Sequence, residues 1–138
     1  MYSQDGEEIQ VEMDGEWKTA TAPDWLTTLG VSTCVAVCVT DNHLKKGWLI
    51  HSQTFGHNSE KLKEMIAEAT KARPSGVGLK VWAFGGIDIV DHEEAARARM
   101  AVQGVLRSLA PKAATTICWK QCEFFEVIFG QDGWDCNL

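Results

Sequence analysis

The chain has 138 residues, of which 45% are hydrophobic, and its formal net charge is -6. A chain of this length and apolar content can bury one hydrophobic core, so we expect residues 1–138 to form a single domain. The negative charge disfavours a nucleic-acid partner, because a phosphate backbone would be repelled and no basic patch with interleaved aromatic residues offsets that repulsion. The sequence shows no secretory signal and no apolar segment of membrane-spanning length. We therefore expect a cytoplasmic protein without membrane insertion.

The first half of the chain predicts a polar start followed by a hairpin. Residues 1–24 are polar and interrupted by glycine and proline, which predicts an irregular segment with one edge strand at IQVEM (9–13). The run CVAVCVT (34–40) is apolar on both faces and predicts a buried strand. GWLIHSQ (47–53) predicts its hairpin partner, with the turn at residues 42–46.

Two amphipathic helices and three more strands are predicted downstream. Segments 58–73 and 91–110 each carry an apolar stripe at helical spacing, and each is followed by a proline that stops a helix. The stripe residues are Leu62, Met65, Ile66 and Ala69 in the first segment, and Ala98, Val102, Val105 and Leu109 in the second. Strands are predicted at residues 77–84, 115–119 and 124–130. This order predicts an α+β fold, with a mixed or antiparallel, sandwich-like β-sheet and two helices packed on one of its faces.

The cysteines do not predict a metal site. Five cysteines are an odd number, and thiols in the cytoplasm stay reduced, so a disulfide framework is not expected. Two pairs have C-x3-C spacing, Cys34 with Cys38 and Cys118 with Cys122. On strands, the two sulfurs of each pair would be roughly 13 Å apart and unable to bind one ion. We expect no metal and no other cofactor.

Cys34 and His51 form the candidate reactive pair. A cysteine nucleophile needs a base within hydrogen-bond reach and backbone donors for a developing oxyanion. His51 lies on the neighbouring predicted strand, and Gly30, Ser32 and Thr33 permit a tight turn whose N–H groups approach Cys34. The alternative is that both are ordinary core residues, since free cysteine is among the most buried residue types.

A longer pattern around this pair resembles a known family. Thr28-Leu29-Gly30 precedes Cys34-Val35-Ala36-Val37, Asp41 follows as an acidic turn, and Gly47 leads to His51, which stands seventeen residues after Cys34. The pattern resembles T-L-G-x-G-S-C-V-A-V and G-G-x-x-H of the chemoreceptor glutamine deamidase (CheD) family, which acts in bacterial chemotaxis. It resembles more distantly the deamidating bacterial toxins. Phe84-Gly85-Gly86 and Arg97 extend the likeness, whereas CWKQCEFFEV (118–127) replaces a glycine-rich G-G-x-x-G-R loop.

The resemblance implies a hydrolase that converts protein glutamine to glutamate through a thioester. It implies Cys34 as the nucleophile, His51 as its base and Thr28 as the residue that orients His51. Backbone groups of Gly30, Ser32 and Thr33 would form the oxyanion loop. The substrate would be a protein that carries a glutamine, either a chemoreceptor or another signalling protein. Two alternatives are a non-catalytic interaction module on the same fold and transglutaminase-like amide exchange.

Three further expectations concern side chains near the reactive pair. Trp48 and Gln53 are candidate substrate-binding residues, because they lie close in sequence to His51. Consecutive strand residues point to opposite faces, so only one of Thr27 and Thr28 can approach His51. We also expect Cys34 to open to a cleft and to have a pKa below that of an ordinary thiol, whereas Cys38, Cys118 and Cys122 should be protonated, buried and inert.

Overall fold

The structure is a computed structural model that describes residues 6–87, 92–130 and 133–136. Residues 1–5 of the predicted irregular start, and Asp91 at the predicted start of the second helix, lie outside the described residues. The strands in the described ranges are β1 (Glu8–Gln10), β2 (Lys18–Thr21), β3 (Trp25–Val31), β4 (Val35–Asp41), β5 (Lys46–Ser52), β6 (Leu79–Gly85), β7 (Ala114–Cys118), β8 (Cys122–Gly130) and β9 (Gly133–Cys136). The helices are α1 (Glu60–Thr70) and α2 (Glu93–Leu109), and a single 3-10 turn spans Pro74–Gly76.

Most predicted elements are present, and the differences fall at both ends of the chain. The 34–40 and 47–53 predictions correspond to β4 and β5, and both helices lie within their predicted segments. The edge strand predicted at residues 9–13 is Glu8–Gln10 instead, and a second strand, β2, was not predicted within residues 1–24. Lys18–Thr21 is short and polar, and it forms a strand because it pairs with β5, a partner distant in sequence. The strand β9 was also not predicted.

The strands form two sheets. One sheet has four strands in the order β1-β3-β8-β9, and the other has five in the order β2-β5-β4-β6-β7. Most neighbouring strands are antiparallel, but β1 with β3 and β6 with β7 are parallel. The smaller sheet brings the N-terminal residues of the chain beside β3, and the larger sheet places β4 between β5 and β6.

Alternation along β4 divides the core into two layers. Val35, Val37 and Val39 face one side and pack with buried residues of both helices. Ala36 and Cys38 face the other side and pack with residues of the smaller sheet, such as Leu26 and Phe125. The predicted α+β class with two helices on one sheet face is therefore confirmed, and the layers run from helices to larger sheet to smaller sheet.

An aromatic pair spans the space between the two sheets. The ring centroids of Phe84, on β6, and Phe125, on β8, are 4.3 Å apart, and both side chains are fully buried. Phe125 lies opposite Thr28 in the β3–β8 register. Phe84 lies opposite Ala36, which in turn lies opposite His51. The aromatic contact is thus made beside the strand positions that carry the predicted histidine and threonine.

Candidate active site

The three predicted side chains share the space between the two sheets. Thr28 follows Leu26 at a two-residue interval on β3, and His51 follows Leu49 on β5, and both leucines belong to the intersheet core. Cys34 directly precedes β4 and has the same parity as Ala36 and Cys38 on that core face. Because side chains alternate along a strand, Thr28 and His51 are directed toward one layer, and Cys34 enters β4 with the parity of that layer.

Thr28 and His51 are joined by a hydrogen bond across the two sheets. The Thr28 Oγ1 to His51 Nδ1 distance is 2.9 Å, and both side chains are buried. Thr28 Oγ1 also donates to the backbone carbonyl of Val11 at 2.7 Å. Thr27 faces away from this layer, and its hydroxyl donates to the Glu8 carboxylate at 2.7 Å. The threonine in contact with the histidine is therefore Thr28.

The Val11 contact determines which nitrogen of His51 carries the proton. A carbonyl oxygen has no hydrogen to give, so the single hydroxyl hydrogen of Thr28 is directed to Val11. The bond to His51 then requires Nδ1 to be the donor and Oγ1 the acceptor. In a neutral imidazole with hydrogen on Nδ1, Nε2 carries the lone pair. Nε2 is therefore the hydrogen-bond acceptor of the ring.

His51 is held in this neutral form by burial. Burial lowers the pKa of His51, and the negative charge of Asp14 only partly opposes that effect. His51 is 1% exposed, and its Nε2 has no hydrogen-bond partner among the described residues. A buried acceptor without a partner costs about 1–3 kcal/mol. A donor that reaches Nε2 would recover that free energy.

The Cys34 thiol is near this histidine but bonded elsewhere. Ala36 lies opposite His51, and Cys34 stands two residues before Ala36, in the turn that leads into β4. The Cys34 Sγ–H donates to Met13 Sδ at 3.1 Å, and Cys34 is 6% exposed. The structure therefore shows a covered thiol, in contrast to the predicted open cleft.

The direction of the Cys34 pKa shift also differs from the prediction. Burial raises the pKa of the Cys34 thiol; its own backbone N–H opposes this, and the charge of Glu94 raises it further. The prediction of a lowered pKa is wrong. The sequence pattern placed a histidine nearby but gave no sign that Met13 would cover the sulfur. The prediction that Cys118 and Cys122 are buried is also wrong, because they lie at the end of β7 and the start of β8 and are half-buried.

The turn before Cys34 is fixed by the end of β6. Gly86 N–H donates to the Cys34 carbonyl at 2.7 Å, and Ile87 N–H donates to the Ser32 carbonyl at 3.2 Å. Gly85 has φ +85°, and a Cβ atom there would collide with the Cys34 carbonyl oxygen and Val31. The glycine in the middle of the Phe84-Gly85-Gly86 motif is therefore explained by its close packing against the Cys34 backbone.

The remaining loop residues before Cys34 are exposed or half-buried. Gly30 is exposed with φ +63°, and Ser32 and Thr33 are half-buried. Within residues 6–87 and 92–130, the N–H groups of Ser32 and Thr33 donate to no backbone carbonyl outside the strands. Two adjacent N–H groups beside a thiol are the type of donor that stabilises an oxyanion.

The two candidate substrate-binding residues lie in different surroundings. Trp48 is buried in the helix-facing core, on the opposite side of β5 from His51. The structure therefore does not bring Trp48 together with the candidate triad. Gln53 is exposed directly after β5, at the end of the strand that carries His51.

The N-terminal segment supplies contacts that the sequence analysis missed. The Val11 N–H donates to the Thr27 carbonyl at 2.8 Å, and Gly15 N–H donates to the His51 carbonyl at 3.0 Å. These two bonds attach residues 11–15 to β3 and β5, with Met13 between them. Their only sequence signal was the predicted N-terminal edge strand, which ended at Met13.

Two properties of the described residues bear on the kind of site. No helix there is long and apolar enough to cross a membrane. Across the same ranges, no group of three His, Cys, Asp or Glu side chains is placed to hold a metal ion.

Comparison with known proteins finds a relative that matches only part of the chain. A 43-residue segment is 46% identical to the probable chemoreceptor glutamine deamidase CheD of Syntrophomonas wolfei. The chain resembles that deamidase over this segment. The match covers 31% of this chain and 26% of the deamidase, so it spans about a quarter of that relative. The CheD likeness seen in the sequence thus has support from a curated relative, and the link to deamidating toxins stays a prediction.

Neither of the two other comparisons assigns the chain to a family. No protein-family model matches the chain. Among solved structures, the Bacillus licheniformis hypothetical protein YfiH superposes with a TM-score of 0.47 and 12% sequence identity. That superposition covers 76% of this chain and 50% of YfiH.

Proposed function

We propose that this protein is a cysteine-dependent hydrolase that converts glutamine side chains of a protein substrate to glutamate. The observation that carries the proposal is the Thr28–His51 hydrogen bond, which leaves the buried Nε2 without a partner among the described residues. The 43-residue likeness to a probable chemoreceptor glutamine deamidase supports the choice of a glutamine carboxamide as the substrate group. A chemoreceptor or another signalling protein is the proposed substrate, in the cytoplasm of a bacterium.

The first half of the reaction forms a thioester. Cys34 turns from Met13 toward His51, and Nε2 takes the thiol proton as the sulfur attacks the carboxamide carbon. The N–H groups of Ser32 and Thr33 would stabilise the negative charge on the carboxamide oxygen. His51 then returns the proton to the departing nitrogen, the carbon–nitrogen bond breaks, and ammonia leaves.

The second half hydrolyses the thioester. His51 Nε2 accepts a proton from water, whose oxygen attacks the thioester carbon, and the carbon–sulfur bond breaks. The proton returns to Cys34, and the side chain leaves as glutamate. Thr28 serves both halves, because its acceptor oxygen keeps the hydrogen on Nδ1 and the lone pair on Nε2.

The test is release of ammonia from a panel of glutamine-bearing proteins, with conversion to glutamate confirmed by peptide mass spectrometry. Cys34→Ala and His51→Ala should each abolish release, and the double variant should be no worse than either, because both residues act in one covalent route. Cys38→Ala is the matched control, since Cys38 is a fully buried cysteine farther along the same strand face. Full activity of Cys34→Ala would exclude the proposal.

A non-catalytic interaction module is the second candidate. The observation that favours it is the covered, protonated state of Cys34, whose pKa is raised by burial. A module would bind its partner equally well after Cys34→Ala and release no ammonia. Transglutaminase-like exchange uses the same thioester, and an added primary amine distinguishes it by forming a stable amide in place of glutamate.

A further inference from the structure

Met13 occupies the space in front of the Cys34 thiol. Its Sδ lies 3.1 Å from Cys34 Sγ, and Met13 as a whole is 50% exposed. The Met13 side chain therefore extends inward from the surface, and its sulfur lies against the Cys34 sulfur. Cys34, by contrast, is only 6% exposed. The N-terminal segment thus covers the thiol with one side chain.

The backbone that carries Met13 is fastened to the strands of the candidate triad. Val11 is bonded through its N–H to Thr27 and through its carbonyl to the Thr28 hydroxyl. Gly15 donates its N–H to the His51 carbonyl at 3.0 Å. Met13 lies midway between these two anchors. Its position over Cys34 is consequently tied to β3 and β5, the strands that carry Thr28 and His51.

Methionine and glutamine place corresponding atoms at the same point. Both side chains are unbranched through Cβ and Cγ, and the methionine Sδ takes the position that the carboxamide carbon takes in glutamine. Reacting atoms in near-attack geometry are about 3–3.5 Å apart. The 3.1 Å distance between Met13 Sδ and Cys34 Sγ lies in that range.

We infer that Met13 is an internal stand-in for the substrate glutamine, and that the path it occupies is the channel through which a glutamine side chain reaches Cys34. This inference rests on the proposed function. It adds that residues 12–14 must move aside before a substrate enters, so that the resting protein is self-inhibited. It also specifies the substrate as a glutamine on an exposed turn that can take the place of residues 12–14.

The unpaired nitrogen of His51 agrees with this arrangement. While Sγ–H donates to Met13, Nε2 has no partner among the described residues, although it is fully buried. Displacement of Met13 frees the thiol hydrogen to turn to Nε2. The arrival of substrate and the activation of the nucleophile are thereby coupled in one movement.

The decisive experiment converts the stand-in into a substrate. In Met13→Gln, the thiol should attack the introduced carboxamide carbon, ammonia should leave with the thiol proton, and water should hydrolyse the thioester to a glutamate side chain. Peptide mass spectrometry of the purified variant should show glutamate at position 13, with one oxygen from isotopically labelled water. The rate should not depend on protein concentration, because the reaction is intramolecular.

Two controls define the specificity of that reaction. Met13→Gln combined with Cys34→Ala should retain the introduced glutamine, which excludes spontaneous deamidation. Met100→Gln places a glutamine at another exposed methionine, on α2, and it should stay unmodified. Gln10, which is exposed and lies in the same N-terminal segment, is an internal control.

A second variant tests the cover without any substrate. Met13→Ala should raise the rate of Cys34 alkylation by iodoacetamide about threefold to tenfold, the range that corresponds to one lost weak hydrogen bond. Cys38 should stay unlabelled in both proteins, because it is fully buried. An unchanged alkylation rate in the folded variant would overturn the inference.

The remaining outcomes separate the inference from the proposed function. If wild-type protein releases ammonia from the panel through Cys34 but the glutamine of Met13→Gln stays intact, the hydrolase proposal holds and the stand-in is refuted. Cys34-dependent conversion of that glutamine supports the stand-in even if no panel protein reacts. If alkylation accelerates but neither the introduced glutamine nor any panel protein is converted, Met13 is a simple cover and the inference fails.

Discussion

Replacing Thr28 with valine removes one hydroxyl from the buried contact between the two sheets while keeping the side-chain shape. That hydroxyl bonds both Val11 and His51, so the change leaves a carbonyl and an Nδ1–H without partners. Each buried group left unpaired costs about 1–3 kcal/mol, and we expect the free energy of unfolding to fall by about 3 kcal/mol. Because neither Thr28 nor His51 is exposed, water cannot readily replace the lost partners.

The effect on activity follows from the proton on His51. Without an acceptor at Thr28, the hydrogen is no longer held on Nδ1, and molecules with hydrogen on Nε2 cannot take the thiol proton. If the preference for hydrogen on Nδ1 over Nε2 is worth about 1.4–2.8 kcal/mol, its loss should lower turnover tenfold to hundredfold. Thr28→Ser keeps the hydroxyl and should retain most activity.

The assay combines ammonia release with thermal unfolding and nitrogen NMR of His51. Thr27→Val is the matched control, because it removes a neighbouring hydroxyl that bonds Glu8 on the other face of β3. It should cost about 1 kcal/mol of stability and leave turnover unchanged. Unchanged turnover in folded Thr28→Val, or an Nε2-protonated His51 in the wild type, would refute the assignment.

The remaining predictions concern stability and pH. In chemical denaturation, Gly85→Ala should destabilise the fold by about 3 kcal/mol or more, because the new Cβ would collide with the Cys34 carbonyl and φ is +85° there. Gly104→Ala should instead stabilise α2 by about 0.5–1 kcal/mol, because no atom lies within 4 Å of a new Cβ at that position. Alkylation of Cys34 in the resting protein should be slow at pH 6–7, and its rate should still be rising at a pH where that of an ordinary thiol has levelled off, since the pKa of Cys34 is raised. Labelling of Cys34 as the fastest thiol at pH 6 would contradict this. Burial lowers the pKa of His51, so below about pH 6.5 the unfolded chain binds a proton that the folded chain does not bind. As the pH falls, the free energy of unfolding of the wild type should therefore decrease, relative to that of His51→Asn, by up to about 1.4 kcal/mol per pH unit. Parallel stability curves for the two proteins would show that His51 is not held neutral.

The sequence predicted the candidate site best where alternation along a strand decides the outcome. Thr28 and His51 reach one layer because strand parity directs them there, and the pattern of buried residues makes that parity readable. The hydrogen bond from Thr28, in place of Thr27, follows from the same rule.

The sequence failed where a distant segment supplies the partner. Met13 and Val11 approach β3 and β5 through contacts that no local periodicity encodes. The raised pKa of Cys34 is a consequence of that covering, so the direction could not be predicted from the Cys34 and His51 spacing alone. The polar strand β2 was missed for a related reason, since it depends on pairing with β5.

The volume of the Phe84 and Phe125 side chains affects the candidate site as well as the packing of the core. The two rings separate the sheets beside the positions where Thr28 and His51 face each other. Interiors are close-packed and transmit small displacements, so a smaller side chain at either ring would let one sheet settle toward the other. The length of the Thr28–His51 bond would change with it. The aromatic pair is in this sense a spacer, and a change in its size would adjust the Thr28–His51 contact without altering either residue.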